Sequence, residues 1–194
     1  DIFNQFKKST SLLGHVRYLT SGRDTQQDLQ PIVWKYENKQ SDPKIQLVHN
    51  GNVYNISEII DSCRKRYNIK IEDDRFNNCS DSCVIMFIIM MELIEINPNK
   101  FDHKIKEISG NVTAIKELSE FLNKTLKGSF NLLINIENYG MIVIRDRFGI
   151  RPLMIAQKFK IDNEVELGKY LIASEDNVFS SLGYTTFGNI DPGE

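Results

Sequence analysis

Residues 80–96 read SDSCVIMFIIMMELIEI, and this stretch decides what kind of fold the chain can form. Ser80-Asp81-Ser82 offers side-chain oxygens that cap a helix N-terminus, and the following residues predict a helix to Ile96. The run from Val84 to Met91 is too short to cross a bilayer, which needs about 20 residues. A helix that is apolar on nearly all sides must lie between other layers of structure. The stretch therefore predicts a buried helix in a layered domain, with no membrane partner.

Shorter apolar segments surround this helix, and their spacing predicts strands and further helices. Helical faces are expected at 55–67 and 111–127, and Asn50-Gly51 is expected to be a turn. Strands first, helices in the middle and strands last indicate an α+β domain with two sheets. The predicted strands are 12–18, 31–36, 44–49, 129–136, 140–145, 152–157, 169–173 and, after a short helix at 176–182, 185–190.

The composition of the 194 residues is typical of a globular protein with one domain. Hydrophobic residues make up 41% and charged residues 26%, which excludes a disordered tail or a fibrous repeat. The net charge of -2 gives no long-range field for nucleic acid, so we expect no such partner. The odd count of three cysteines and the lack of a recognisable export signal favour a reducing, cytoplasmic compartment.

Several residues with useful chemistry fall at predicted strand ends or helix starts, where they can face a ligand. Arg17 carries a planar fork suited to a carboxylate, although a salt bridge to a nearby acid is the simpler explanation. Asn50 and Gly51 could supply an amide and a backbone N–H for an oxyanion, or simply form a hairpin turn. Asp81 could hold an ammonium group, or only interact with the helix dipole.

The histidine and cysteine side chains give weaker signals. His15 could be a general base, but a satisfied core histidine on a strand is the simpler interpretation. Cys79 and Cys83 are close in sequence, yet no second Cys or His pair lies near them. We therefore expect no zinc site.

Taken together and in this order, the clusters resemble the class II, or N-terminal nucleophile, glutamine amidotransferase domain, most closely that of the amidophosphoribosyltransferases. Asparagine synthetase and glucosamine-6-phosphate synthase fit less well, because the former lacks the GHVRY segment and the latter has His-Thr-Arg-Trp there. The resemblance covers the chain from end to end. The matching segments are DIF at 1–3, GHVRYLTSG at 14–22, QP at 30–31, HNGNVYN at 49–55, SDS at 80–82, GSF at 128–130, RDRFGIRPL at 145–153, ASE at 173–175 and DPGE at 191–194.

The resemblance implies a four-layer αββα sandwich, incomplete at its N-terminus, with residues 1–194 as one partial domain. It implies hydrolysis of glutamine to glutamate and ammonia, for transfer to phosphoribosyl pyrophosphate in a second, phosphoribosyltransferase domain during purine synthesis. It implies no metal or other cofactor in this domain, and it leaves a homo-oligomer open.

The resemblance also assigns roles to particular residues. Arg17 and Asp81 would hold the α-carboxylate and the α-ammonium of glutamine. Asn50 and Gly51 would stabilise the tetrahedral oxyanion, and Tyr18 would belong to a loop that closes over the substrate. The RDRFGIRPL stretch is expected to be architectural, with Arg145 paired to Asp146, a turn at Gly149 and a new strand starting at Pro152.

The nucleophile of this family is an N-terminal cysteine whose own α-amine acts as the base, whereas this chain begins with Asp1. We therefore expect the 194 residues alone to bind glutamine weakly or not at all, and not to hydrolyse it. Whether the chain is an enzyme is left open between two interpretations. It is an interior piece of a working glutaminase domain, or a truncated, inactive homologue that serves as a binding or structural module or is a gene remnant. The amidotransferase domain of a sister enzyme such as asparagine synthetase is a third alternative.

Overall fold

The computed structural model describes residues 10–16, 29–34, 45–67, 80–96, 112–136, 140–158 and 168–194. These residues form a mixed α+β domain, which confirms the fold class predicted from the order of the elements. In chain order the elements are β1 (Ile32–Trp34), β2 (Ile45–Val53), α1 (Ile56–Arg66), α2 (Asp81–Ile96), α3 (Val112–Thr125), β3 (Gly128–Ile136), β4 (Gly140–Arg145), β5 (Met154–Lys158), β6 (Lys169–Ala173), α4 (Asn177–Ser181) and β7 (Thr185–Asn189).

The described strands form two sheets in which all neighbours are antiparallel. The first sheet has the order β1-β2-β3-β4, and the second has β5 between β6 and β7. β2 and β3 pair along their full lengths, from Ile45 opposite Ile136 to Val53 opposite Gly128. Helices α1 to α3 lie between these two strands in the chain, so the helical segment leaves the sheet and returns to a neighbouring strand.

Helix α2 is the centre of the core. Every residue from Val84 to Met90 is at most 5% exposed, and α2 contacts α1, α3, β1 and β2. The prediction of a buried helix between layers is therefore confirmed. Because strand side chains alternate between faces, one face of the first sheet packs on the helices. That face contributes Ile45, Leu47, Val53, Phe130, Leu132, Ile134, Ile136 and Ile144 to the core.

The opposite face of the first sheet is rich in amide side chains that reach toward the second sheet. Asn50 Nδ2 donates to Ser174 Oγ, directly after β6, and Asn131 Nδ2 donates to the Pro152 carbonyl, before β5. The two sheets are thus joined by side-chain hydrogen bonds across this face. Within the ranges described above, no helix is both long and apolar enough to cross a bilayer.

Two local predictions were wrong. Residues 12–16 form no strand, and Leu12 and Val16 are 63% and 82% exposed, so their apolar alternation is not buried against a core. The rest of that predicted strand, which contains Arg17 and Tyr18, lies outside the described residues. Asn50-Gly51 is not a turn but lies inside β2, because pairing with β3 continues to Val53. The strand predicted at 44–49 is present but continues to Val53, four residues past its predicted end. The other predicted elements are present, with their described ends shifted by at most about two residues.

Candidate functional site

The edge of β2 that faces away from β3 carries backbone donors. β1 pairs only with Ile45–Leu47, so within the described residues β2 has no strand on this side after that point. Alternate residues of an antiparallel strand direct their N–H groups to the same edge. The N–H of His49 donates to Gln30 Oε1 at 2.6 Å, and that of Val53 donates to Asp81 Oδ2 at 3.3 Å. Two side chains therefore occupy the place of a neighbouring strand.

Gly51 lies between these two residues, and its N–H projects from the same edge. Its cross-strand partner Phe130 turns its own N–H and C=O the other way, toward Asp146, so Gly51 and Phe130 form a pair without mutual hydrogen bonds. In the described part of the chain no acceptor takes the Gly51 N–H. Among the described residues it is a backbone donor without an acceptor, and the side chains of Gln30 and Asp81 lie on either side of it along the edge.

Glycine is required at position 51 because the backbones of β2 and β3 approach closely there. A Cβ at this position would lie 2.0 Å from the Ser129 carbonyl oxygen and 2.6 Å from His49 Nε2. No heavy atom tolerates the first distance, so any side chain would push β2 away from β3. The same close approach keeps the free N–H at a fixed place in the sheet.

Asp81 is the first residue of α2, and its carboxylate lies beside the edge of β2. Ser80 caps the helix through its Oγ, which accepts the Cys83 N–H, as the sequence predicted. Asp81 Oδ1 accepts the Ser82 N–H at 2.7 Å, and its side chain is 25% exposed. A partly exposed carboxylate with fixed hydrogen-bond donors can still accept a cation through its remaining lone pairs.

A buried network connects Asp81 to β2. Ser82 Oγ lies 3.0 Å from His49 Nδ1 and 3.3 Å from Asp81 Oδ1, and it accepts a hydrogen bond from Gln30 Nε2 at 3.2 Å. Because Gln30 also accepts the His49 N–H, its amide joins the strand backbone to Ser82. Three segments that are distant in sequence, at Gln30, at His49 and at Asp81-Ser82, are thereby held at one place.

The imidazole of His49 is almost completely buried, and burial lowers its pKa from the ordinary value of 6.5. The Asp81 carboxylate, with Oδ2 3.8 Å from Nδ1, acts in the opposite direction, as does the backbone of Ser129. The nearby charges of His15 and Arg151 lower the pKa further. Nε2 faces Ser129 without completing a hydrogen bond. The ring is therefore neutral near pH 7, with Nδ1 as its one hydrogen-bonded nitrogen among the described contacts.

Asn50 projects from the opposite face of β2. Its Nδ2 donates to Ser174 Oγ at 3.0 Å, and this contact leaves the second hydrogen of the amide available. Asn131, directly opposite Asn50 on β3, is 1% exposed. Asn50 is thus held by the segment that follows β6.

The structure places three of the predicted site residues near one strand segment. Asn50 and Gly51 are adjacent in β2, and Asp81 contacts the same segment at Val53. Arg17 and Tyr18 lie outside the described residues, so their predicted roles stay predictions. His15 is half-buried and outside any strand, close enough to His49 to influence its pKa.

Sequence reasoning assigned no role to the side chains of Gln30, His49, Ser82 and Ser174. Each lies inside a segment that carried the family resemblance, at 30–31, 49–55, 80–82 or 173–175. A motif segment indicates that several adjacent residues contribute to the site, but it does not show which side chains contact each other.

The cysteines of the described residues offer no obvious nucleophile. Cys63 is buried, and burial raises the pKa of its thiol, which disfavours the reactive thiolate. Cys83 is half-buried beside Ser80 Oγ, and Cys79 lies outside the described residues. No group of three or more His, Cys, Asp or Glu side chains in the described ranges is arranged to hold a metal ion.

The RDRFGIRPL segment is a hydrogen-bonded turn, but its first two side chains do not pair with each other as expected. Arg145 donates to the carbonyls of Gly149, Arg151 and Ile190. Asp146, which is 1% exposed, accepts the N–H groups of Phe130, Phe148 and Ile150. Both side chains are thus engaged by backbone groups of the turn and of the segments beside it. Strand β5 starts at Met154 and not at Pro152.

The site combines three kinds of chemical group. A free backbone N–H and a primary amide can stabilise an oxyanion, and a partly exposed carboxylate can hold a cation. Such a set fits a small zwitterion whose reacting carbonyl lies at a distance from its ammonium group.

Comparison with known proteins identifies the family of the chain. Residues 15–180 match the family of glutamine amidotransferase domains. The amidophosphoribosyltransferase of Escherichia coli K12 is 32% identical to the chain over 184 residues, which are 94% of the chain and 32% of that protein.

Two solved structures share the fold. One, described as the allosteric regulatory enzyme of purine biosynthesis, matches with a TM-score of 0.61 and 26% identity, over 92% of this chain and 30% of its own. The other is glutamine phosphoribosylpyrophosphate amidotransferase from Bacillus subtilis in complex with ADP and GMP, with a TM-score of 0.57, 24% identity and the same coverage. The chain spans about a third of the length of the curated relatives it matches.

Proposed function

Because the chain belongs to the family of glutamine amidotransferase domains, we propose that it forms the glutamine site of an amidophosphoribosyltransferase-like enzyme. In this proposal the protein hydrolyses glutamine to glutamate and supplies the ammonia to phosphoribosyl pyrophosphate, in purine synthesis in the cytoplasm. The acceptor reaction takes place in a phosphoribosyltransferase domain. The sandwich of four αββα layers is part of the same proposal, and the two described sheets and the helices on the first sheet support it.

Substrate binding in this proposal relies on opposite charges at the two ends of the amino acid's zwitterionic group. Asp81 holds the α-ammonium, and its position at a helix start with three donors around its carboxylate keeps it oriented. Arg17 holds the α-carboxylate, and Tyr18 belongs to the loop that covers the bound substrate. Fixing both charged groups places the side-chain amide of glutamine for attack.

Hydrolysis proceeds by covalent catalysis. A cysteine thiolate, with an α-amine as the base, attacks the side-chain carbonyl carbon, and the resulting oxyanion accepts hydrogen bonds from the Gly51 N–H and Asn50 Nδ2. The intermediate collapses, and the amide nitrogen takes the proton and leaves as ammonia. Water then attacks the thioester, releases glutamate and restores the thiol. These steps need no cofactor, and the cysteine they need is not at position 1 of this chain, which is Asp1.

The observation that carries this proposal is the free N–H of Gly51, next to Asn50 and framed by Asp81. The test uses the protein expressed from its complete open reading frame. Binding of L-glutamine is measured by calorimetry and glutamate formation by a coupled assay, with and without phosphoribosyl pyrophosphate. We expect glutamine binding, and glutamate formation that phosphoribosyl pyrophosphate stimulates.

Two variants connect the result to the site. Asp81→Asn should weaken glutamine binding at least tenfold, because it removes the charge that holds the ammonium. Asn50→Ala should lower kcat by about a hundredfold with a small change in KM, since it removes one oxyanion donor. The matched controls are Asp61→Asn in α1 and Asn123→Ala in α3. We expect both variants to leave the binding constant and kcat unchanged.

The outcomes separate the alternatives. Binding without hydrolysis would favour the inactive homologue that serves as a binding module. Hydrolysis that responds to aspartate and ATP, and not to phosphoribosyl pyrophosphate, would favour a sister enzyme of the asparagine synthetase type. A protein that does not bind glutamine at all would refute the proposed function.

A further inference from the structure

Apolar side chains make up most of the core around α2, and the buried hydrogen bonds around Ser82 are an exception to that packing. Ser82 and His49 are each 4% exposed, and both lie against a core that is otherwise apolar. Buried polar groups are costly unless they are fully hydrogen-bonded, so a position that keeps them needs a reason.

The network has the Asp81 carboxylate at one end and the β2 backbone at the other. Gln30 holds the His49 N–H with its Oε1 and Ser82 Oγ with its Nε2, and Ser82 Oγ also lies within reach of His49 Nδ1 and Asp81 Oδ1. The N–H donor of Gly51 lies two residues after His49 along the same edge. A displacement of Ser82 would therefore disturb the Asp81 carboxylate and the strand segment together.

We propose that Gln30, His49 and Ser82 are positioning residues that hold the Asp81 carboxylate at a fixed distance from the Gly51 N–H. This inference rests on the proposed function and adds to it three residues that touch no substrate. Asp81 is the first residue of α2 and its side chain is 25% exposed, and one of the three donors that orient its carboxylate is the Ser82 hydroxyl, which the network itself holds.

The Ser82 hydroxyl is the best place to test the network. Ser82→Ala removes the acceptor of Gln30 and the link to His49, but it retains the backbone N–H that Asp81 Oδ1 accepts. Ser82→Thr retains the hydroxyl. Ser62 is the matched control, because its hydroxyl bonds only to its own helix at Glu58 and is exposed.

In the protein expressed from its complete open reading frame, we expect Ser82→Ala to weaken L-glutamine binding about tenfold, with kcat nearly unchanged. Ser82→Thr should restore binding, and Ser62→Ala should have no effect. The midpoint of thermal unfolding should fall for Ser82→Ala, because buried His49 Nδ1 and Gln30 Nε2 lose a hydrogen-bond partner, and it should change little for the other two variants. Glutamine binding is therefore measured at a temperature at which all three variants are folded.

A double-mutant cycle shows whether Ser82 acts through Asp81. If it does, Ser82→Ala should cause little further loss of affinity in a protein that already carries Asp81→Asn. Equal losses in both backgrounds, or a normal affinity for Ser82→Ala, would overturn the positioning role.

The failure of the positioning role is distinguishable from a failure of the proposed function. If Asp81→Asn weakens glutamine binding and Ser82→Ala does not, only the positioning role fails. If the unsubstituted protein does not bind glutamine, both fail.

Discussion

Gly51 combines two demands on one residue, a close approach of two strands and a free N–H at the opposite edge. The space for a Cβ is filled by the Ser129 carbonyl, so glycine is needed for packing as well as for the site. A structural and a proposed catalytic requirement therefore coincide at a single position.

We predict that Gly51→Ala destabilises the protein by about 1–3 kcal/mol, because the added methyl group forces β2 and β3 apart. Urea unfolding measures the change. Gly188→Ala is the matched control, since Gly188 also lies in a strand but no heavy atom is within 4 Å of its added Cβ. A stability equal to that of the unsubstituted protein would contradict the close approach.

Ser174 holds the Asn50 amide from the second sheet, and this contact has a functional consequence. Ser174→Ala should lower the kcat for glutamine hydrolysis about tenfold and leave KM nearly unchanged, because the released amide no longer points steadily at the oxyanion. Steady-state kinetics of the protein from its complete open reading frame measures both constants. Ser181→Ala, whose hydroxyl bonds within α4, should behave like the unsubstituted protein. A rise in KM alone would argue against the contact with the oxyanion donor.

At the scale of elements, the turn after β4 shows charged side chains that satisfy backbone groups where no neighbouring strand does so. Arg145 and Asp146 are adjacent in sequence but serve different backbone groups, three carbonyls and three N–H groups. The turn also ties down the end of the described chain, because the Arg145 N–H donates to the Glu194 carbonyl and the Gly193 N–H to the Asp146 carbonyl.

Asp146→Asn should destabilise the protein by about 2–3 kcal/mol, because an amide replaces a buried acceptor of three N–H groups and brings unwanted donors with it. Chemical unfolding gives the difference. Asp176→Asn is the control, since Asp176 is exposed and makes no side-chain cap bond at the start of α4. If the two variants lose equal stability, the hydrogen bonds of Asp146 contribute little.

At the scale of the whole molecule, folding takes His49 out of water and opposes its protonation. The pKa of the folded imidazole is lower than 6.5, so below about pH 6.5 the unfolded chain binds more protons at this site than the folded chain does. The free energy of unfolding should therefore fall as the pH is lowered through this range, and rise again toward neutral pH.

Urea unfolding between about pH 5.5 and 7.5 tests this linkage. We expect the stability of the unsubstituted protein to decrease more steeply on acidification than that of His49→Gln, which cannot take up the proton. The groups that act on the imidazole are Asp81, which supports its protonation, and His15 and Arg151, which oppose it. Equal slopes for the two proteins would show that His49 titrates normally in the fold.

The site also depends on the whole molecule because its parts are distant in the chain. Asn50 and its partner Ser174 are 124 positions apart, and Gln30, β2 and the start of α2 meet only after the first sheet and α2 have packed. Such contacts cannot be deduced from local patterns.

The amino-acid sequence by itself determined the α+β class, the burial of α2 and the family, because hydrophobic periodicity and motif segments are local features that folding preserves. It also pointed to Asn50, Gly51 and Asp81. Only the tertiary structure showed that Asn50-Gly51 lies within a strand: this pair favours a turn locally, but a ladder with β3 that extends to Val53 outweighs that preference. Only the tertiary structure, too, showed that the Gly51 N–H has no acceptor among the described residues, since β1 pairs no further than Leu47 and side chains from Gln30 and Asp81 bond to the neighbouring N–H groups of that edge.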